Sequence, residues 1–183
     1  DAWDGLRSCD ALYRALAEDF LTGTWGVTVV RSELHAQSLD RVVALAGPGI
    51  VDVFAARLAK DLPPKFDRMR KIQVAVGRRL SDPDLLDNVE GAVRSAFYMS
   101  IRARYNRARL AGTWSEIRLA DFLFLREFTY AAMFRFNSRG EFNNSPDNRR
   151  LGAVPDTMRR HIVGASALLK GKCALSSVDY REV

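Results

Sequence analysis

The sequence predicts a mainly α-helical bundle of about six helices with one β-hairpin near residues 134–143. Apolar residues recur every three or four positions along most of the chain, which is helical spacing. Glycine and proline breaks separate these stripes. Two short alternating runs flank the glycine-containing turn at 137–140, which is a hairpin signal. With 183 residues, 48% of them apolar and 27% charged, the chain is long enough to fold as one globular domain.

The first third of the chain contains two predicted helices and one segment with two interpretations. Apolar spacing predicts a helix over about 4–20. Residues 25–30 fit either a short strand or the start of a helix. The stretch 39–46 is helical up to the break at Gly47-Pro48-Gly49. We interpret that break as a plain turn, because Pro48 removes an N–H that a cofactor-binding glycine loop would use.

Two prolines divide the next helical region. An amphipathic stripe begins at Val51 and is expected to end before Pro63-Pro64, since proline disfavours a helical residue before it. A separate helix is then predicted over 66–76. Its outer face carries basic residues, namely Arg68, Arg70 and Lys71.

The clearest helix boundaries lie in the second half of the chain. Ser81-Asp-Pro-Asp84 is typical of an N-cap with proline in the first turn, and apolar residues recurring every four positions extend that helix to about Arg109. Thr113-Trp-Ser-Glu116 resembles a capping box that opens a helix over about 114–133. Because that helix is apolar around its girth, we expect it to be central. A last amphipathic helix is predicted over 156–169.

The net charge of +6 is concentrated in residues 94–150. This segment holds eleven arginines, no lysine and five acidic residues, so the rest of the chain is balanced. Arginine suits bidentate recognition of phosphate and guanine, which predicts a basic DNA-contacting segment. The alternative is a solvated helix face.

The stretch Arg126–Asn143 runs from an aromatic helix into the predicted hairpin. It offers arginine for guanine edges, asparagine for adenine edges and aromatic rings for stacking. It closely resembles the target-recognition hairpin of Dam-like DNA adenine-N6 methyltransferases. The preceding Tyr98-Met-Ser-Ile-Arg102-Ala-Arg-Tyr105-Asn106 is similar to the pattern that precedes that hairpin in the family. Weaker similarity covers Asp10–Tyr13 and the tail 177–183.

The resemblance implies which part of such an enzyme the chain corresponds to. The family's Phe-x-Gly-x-Gly cofactor loop and its catalytic Asp-Pro-Pro-Tyr are both absent. In the family the helical recognition region lies between those motifs. Residues 1–183 therefore look like a single target-recognition domain, inserted in a larger α/β methyltransferase. The parent would use S-adenosylmethionine, whereas this chain alone would bind no cofactor and hold no catalytic residue. Its expected partners are double-stranded DNA and the catalytic domain of the same parent.

Arg135 is the residue on which the resemblance bears most directly, since the matching arginine of the family reads a guanine. The alternative is an ion pair across the turn with Glu141. Tyr130 and Met133 are suited to stack or wedge where a base is displaced, or else belong to the core. Asn137 and Asn143 contact base or backbone, or serve turn chemistry. Phosphate contacts are expected from Arg102, Arg104, Arg107, Arg139, Arg149 and Arg150.

The family pattern is broken after Asn143, where Val-Pro-Tyr/Phe-Gly is replaced by Asn144-Ser-Pro-Asp147. The DNA contacts of that stretch are therefore not transferred. The only histidines, His35 and His161, have no cysteine or acid at ligand spacing, which disfavours a metal site. Two cysteines without a framework, and no span long enough for a bilayer, favour the cytoplasm.

Two other functions remain open at this point. One is a free-standing, non-enzymatic DNA- or RNA-binding helical protein. The other is an interaction module that packs its apolar helix over 114–133 on a partner. A steep dependence of binding on salt separates nucleic-acid binding from the second of these.

Overall fold

A computed structural model describes residues 46–47, 49–147, 155–174, 176, 178–179 and 181. The described residues form four helices, namely α1 (Val51–Val76), α2 (Asp82–Leu110), α3 (Glu116–Phe128) and α4 (Pro155–Leu169). A single 3-10 turn, Tyr130–Ala132, follows α3. The mainly helical class is confirmed. The predictions for 4–20, 25–30 and 39–45 lie outside the described residues.

Helix α1 runs without interruption through Pro63 and Pro64, so the prediction of two separate helices there is wrong. Each proline removes one helical hydrogen bond, which is a local cost. This cost is opposed by the burial of an apolar stripe that continues on both sides of the prolines. Its members are Phe54, Leu58, Leu62, Phe66 and Met69. Burial of five large side chains, at about 1.5–3 kcal/mol each, outweighs the two lost bonds.

Helix α2 is the centre of the bundle, since α1 and α3 both pack on it. Ser81 caps its N-terminus by accepting a hydrogen bond from the Asp84 N–H at 3.3 Å. The helix ends at Leu110, within one residue of the predicted end. Its buried face includes Val89, Val93 and Phe97.

Helix α3 is shorter and less buried than predicted. Its cap is Ser115, which accepts from the Arg118 N–H at 3.2 Å. It ends at Phe128 instead of about residue 133, because Thr129 turns to an extended conformation and pairs with Pro146. Only one face is buried, while Ile117 is 51% exposed. The prediction that this helix is central is therefore wrong.

The chain divides into two compact units, Asp1–Leu151 and Gly152–Val183. The second contains α4, whose predicted bounds of 156–169 are confirmed to within one residue. Apolar side chains of α4 such as Ile162 and Leu168 are exposed. None of the four described helices is long and apolar enough to cross a bilayer.

Candidate nucleic-acid interface

A tight turn at residues 137–140 follows α3 and carries the predicted recognition residues. The Gly140 N–H donates to the Asn137 carbonyl at 2.9 Å, and the Asn137 N–H donates to the Glu141 carbonyl at 2.9 Å. One antiparallel bridge, between Phe136 and Phe142, closes the turn. The described residues contain no longer strand, so two paired strands over 134–143 are not what the structure has.

Side chains within the turn hold its shape. The Asn137 amide oxygen accepts from the backbone N–H groups of Arg139 and Glu141, at 3.0 and 2.9 Å. Its amide nitrogen donates to the Glu141 carboxylate at 2.8 Å, and Arg139 pairs with the same carboxylate at 2.9 Å. The Asn137 amide, followed by the charge of Arg139, holds the pKa of Glu141 below its usual value. Asn137 and Arg139 are therefore committed to the turn, which is the turn-chemistry alternative for Asn137.

Helix α2 anchors the turn through Asn106. Its amide nitrogen donates to the Phe142 carbonyl at 2.9 Å, and its amide oxygen accepts from the Phe142 N–H at 2.8 Å. Arg109 adds a hydrogen bond to the Gly140 carbonyl and lies 4.4 Å from the centre of the Phe136 ring. A Cβ at Gly140 would lie 3.0 Å from the Arg109 guanidinium, so this position favours glycine for space as well as for its φ of 74°.

Aromatic rings fill the space beneath the turn. Phe134 stacks on Phe142 with ring centres 4.4 Å apart, and Phe122 of α3 meets Phe134 at 4.9 Å. Tyr105 of α2 packs edge-on against Phe142 at 6.4 Å. Such pairs add about 0.5–1.5 kcal/mol each beyond burial. The turn is thus held rigidly against α2 and α3 before any ligand binds.

The segment after the turn, where the family pattern breaks, returns along the end of α3. The carbonyl of Asn144 accepts from the Arg102 guanidinium at 2.9 Å, and Asn144 is buried. The Tyr130 N–H donates to the Ser145 carbonyl at 2.9 Å, and the Asp147 N–H donates to the Phe128 carbonyl at 2.8 Å. Residues 144–147 therefore brace the turn.

Arg135 lies on the surface of this braced element. Its side chain is exposed, and within the described part of the chain it makes no hydrogen bond or ion pair. The alternative pairing with Glu141 is not formed, because that carboxylate is bound by Arg139 and Asn137. The Arg135 side chain is therefore accessible to a ligand from solvent.

Tyr130 and Met133 are also on the surface, with 59% and 45% of their area exposed. The core role that was the alternative for both is therefore excluded. Asn143 is exposed as well. Tyr130, Met133, Arg135 and Asn143 belong to the same short stretch of chain, and all four are exposed, whereas Phe142 within that stretch is buried.

The turn that connects Tyr130 to Met133 is strained. Ala131 and Ala132 both have φ of 53°, the left-handed region that costs a residue with a Cβ about 1–2 kcal/mol. The Ala132 N–H donates to the Thr129 carbonyl and the Met133 N–H to the Tyr130 carbonyl, each at 3.1 Å, so the conformation is held by hydrogen bonds. Strain of this kind persists where surrounding structure imposes it.

Glycine at this turn is expected to stabilise the protein. Ala132→Gly should raise the free energy of unfolding by about 1 kcal/mol, because glycine adopts the left-handed region without the Cβ clash. Ala120→Gly, at an exposed position inside α3, should instead lower it by about 1 kcal/mol. Urea unfolding followed by circular dichroism measures both. A loss of stability in Ala132→Gly would show that the turn is not strained.

A cleft of about 580 Å³ lies between α2 and the turn. Its walls include four arginines from three different parts of the chain, namely Arg57, Arg102, Arg107 and Arg139. Burial, with a further contribution from Arg57, lowers the pKa of the Arg102 guanidinium. Glu141 is the one acidic residue in the lining. Since Glu141 pairs with Arg139 and Asp61 with Arg57, the net positive charge of the cleft comes from Arg102 and Arg107, and it suits an anion.

The predicted phosphate contacts divide into three groups. Arg102, Arg107 and Arg139 line the cleft, and of these Arg139 is paired with Glu141. Arg104 was wrongly assigned, because it forms two hydrogen bonds with the buried Asp121 carboxylate, at 2.7 and 2.9 Å, and one with the Ala46 carbonyl. Arg149 and Arg150 lie outside the described residues.

Three residues of the site were missed by the sequence analysis. Asn106 was noticed only as part of the family pattern, although its place beside the predicted recognition segment was a usable signal. Arg109 and Arg57 gave no such signal. Arg57 lies 45 positions from Arg102 in the chain, and the two meet only through the packing of α1 on α2.

No family model, curated protein or solved structure matches this chain. Among the described residues, no group of three or more histidine, cysteine, aspartate or glutamate side chains is placed to hold a metal ion.

Proposed function

We propose that this chain is the sequence-specific DNA recognition region of a site-specific DNA adenine-N6 methyltransferase. The observation that carries the proposal is the exposed Arg135, which has no side-chain partner among the described residues and lies just before a braced turn that lines an arginine-rich cleft. Because the backbone on either side of Arg135 is braced before any ligand binds, binding has to order only the side chain itself, at about 0.5–1.5 kcal/mol.

The cleft and the turn have different tasks in this proposal. Arg102 and Arg107 in the cleft contact phosphate oxygens, which position the protein without reading sequence. Arg135 forms two hydrogen bonds with guanine O6 and N7 in the major groove. Tyr130 and Met133 are exposed and precede Arg135 by five and two positions in the chain, and they supply a ring and an apolar side chain that stack or wedge where the target adenine leaves the duplex.

The chemistry belongs to the parent enzyme. There S-adenosylmethionine is held by the catalytic domain, which also receives the flipped adenine, and this chain supplies neither cofactor contacts nor catalytic groups. Extruding the base costs a few kcal/mol, and contacts of the recognition region with the rest of the duplex offset that cost. The partners are double-stranded DNA and the catalytic domain, and the larger α/β enzyme into which this helical region is inserted is part of the same proposal.

Salt dependence of duplex binding tests this function. The two arginine–phosphate contacts of the cleft predict that log K falls against log salt with a slope of about −1.8 or steeper. Fluorescence anisotropy of the 183-residue chain with a labelled duplex, between about 50 and 200 mM salt, gives this slope. Arg107→Ala should make the slope shallower by about 0.9, since one phosphate contact is lost.

The comparison of duplex types separates the proposal from its alternatives. A turn that enters the major groove should prefer B-form DNA to duplex RNA, whose major groove is too narrow for side chains to read. Equal affinity for both would favour a general nucleic-acid-binding protein. The exposed Trp114 and Ile117 at the start of α3 support the interaction module instead, and binding of a partner without salt dependence would favour it. Absence of duplex binding at about 50 mM salt rejects the DNA proposal.

A further inference from the structure

One face of α1 carries a row of cations that the sequence analysis did not connect to the site. At about 100° per residue, Arg57, Lys60, Arg68 and Lys71 lie within an arc of about 80°. Lys60, Arg68 and Lys71 are exposed, and within the described residues none of them has a hydrogen bond or ion pair. We call these four residues the α1 stripe.

Two acidic residues of α1 border the stripe and compensate its charge only in part. Asp61 binds Arg57 at 2.7 Å. Asp67 lies 4.0 Å from Arg70 and, at about 100° per residue, about 20° from Lys60 around the helix. Arg68 also lies close enough to Lys65 to lower the pKa of that ammonium, after the larger effect of burial. The stripe is thus a surface with several positive charges close together, which attracts an anionic partner.

The α1 stripe is continuous with the cleft. Arg57, its first member, lines the cleft together with Arg102 and Arg107. From Arg57 to Lys71 the helix rises by about 21 Å, at about 1.5 Å per residue. That length matches about six base pairs of a duplex, at roughly 3.4 Å per step.

The composition of α1 favours a duplex over a single strand. Both of its aromatic residues, Phe54 and Phe66, are buried, so the stripe offers no ring on which an unpaired base stacks. Long cationic side chains on a helix without exposed rings suit the phosphate backbone of paired DNA.

We propose that the α1 stripe contacts the phosphate backbone of duplex DNA over about six base pairs on one flank of the bases that Arg135 reads. This inference rests on the proposed function, because it needs the duplex in the cleft. It adds a flank contact that lengthens the footprint and contributes no sequence preference.

Duplex length and charge removal together test the stripe. The triple variant Lys60→Gln, Arg68→Gln, Lys71→Gln removes three exposed charges. It is compared with the wild-type chain on a duplex of about 10 base pairs and one of about 24, both centred on the sequence that the wild-type chain selects from a randomised pool. On the long duplex the log–log salt slope should become shallower by about 2.7, which is three contacts of about 0.9 each. On the short duplex it should not change.

A matched control removes the same charge from the other unit. Arg159→Gln, Arg160→Gln, Lys170→Gln alters three exposed residues at and beyond α4. This variant should retain the wild-type slope on the long duplex. An equal loss in the control would show that net charge, and not the α1 stripe, sets the slope, which overturns the inference.

Failure of the stripe and failure of the proposed function give different results. If the wild-type chain binds the long duplex and the stripe variant keeps its slope, only the stripe is rejected. The stripe alone is also rejected if the variant loses the same affinity on both lengths. If the wild-type chain binds neither duplex, the proposed function and the stripe are rejected together.

Discussion

Asp121→Ala is expected to lower the free energy of unfolding by about 3 kcal/mol. Asp121 is 3% exposed and its carboxylate receives two hydrogen bonds from Arg104, which bridges α2 to α3. Removal of one partner of a buried pair costs about 3–5 kcal/mol, because the other charge is left without compensation. The lower end applies here, since 22% of the Arg104 side chain reaches solvent. Chemical unfolding monitored by fluorescence gives the difference.

The double variant Arg104→Met, Asp121→Leu is the matched control. It removes both charges and fills the same space with apolar groups, so it should recover most of the lost stability. If instead the double variant is as unstable as Asp121→Ala, packing at this position and not the unpaired charge is the cause.

The dependence on pH gives a second check on Asp121. Burial raises the pKa of its carboxyl, and the hydrogen bonds and charge of Arg104 oppose that rise. The folded protein therefore binds this proton more tightly than the unfolded chain, and the group adds stability as pH falls from the folded pKa towards the unfolded value of about 3.9. The difference in stability between the wild-type chain and Asp121→Ala should widen as pH falls through that range, and it should be smaller and constant above it.

The helices were predictable to the extent that their signals are local. The cap at Ser81 and the apolar recurrence after it are properties of neighbouring residues, and α2 was placed to within one residue at its end. The effect of the prolines in α1 was predicted wrongly, because local sequence shows the two lost hydrogen bonds but not how deeply the apolar stripe of α1 is buried. The end of α3 depends on pairing of Thr129 with Pro146, which no local pattern contains.

The residues of the candidate site also divide into those that local sequence identifies and those that only packing identifies. Arg135, Tyr130 and Met133 lie in one continuous segment, so the sequence was able to single them out together, although not to decide their exposure. Arg104 and Arg107 look equivalent in sequence, yet Arg104 is bound to Asp121 and Arg107 lines the cleft. The difference is the identity of a partner 17 residues away, which only packing determines.

Arg135→Ala is the second change with a large expected effect. Arg135 is proposed to make a bidentate contact with one guanine, worth about 1–3 kcal/mol of discrimination against the wrong base. Loss of the side chain should therefore reduce the preference for the selected sequence by about 5- to 150-fold. Stability should change by less than about 0.5 kcal/mol, since the side chain is exposed and has no partner among the described residues.

Arg107→Ala is the control for this change. Arg107 is also exposed, but it lines the cleft and is assigned to phosphate. Its loss should weaken every duplex by the same factor and leave the order of preference intact. Identical effects of the two variants on all sequences would contradict the assignment of Arg135 to base recognition and of Arg107 to phosphate binding.

Selection from a randomised duplex pool tests the central claim most directly, since the recognised sequence need not be known in advance. The wild-type chain should enrich a short motif that contains a guanine, and Arg135→Ala should lose preference at that guanine while other positions persist. Enrichment of the same motif by both proteins, or of no motif by the wild-type chain, would contradict the assignment of Arg135 as the reader of sequence.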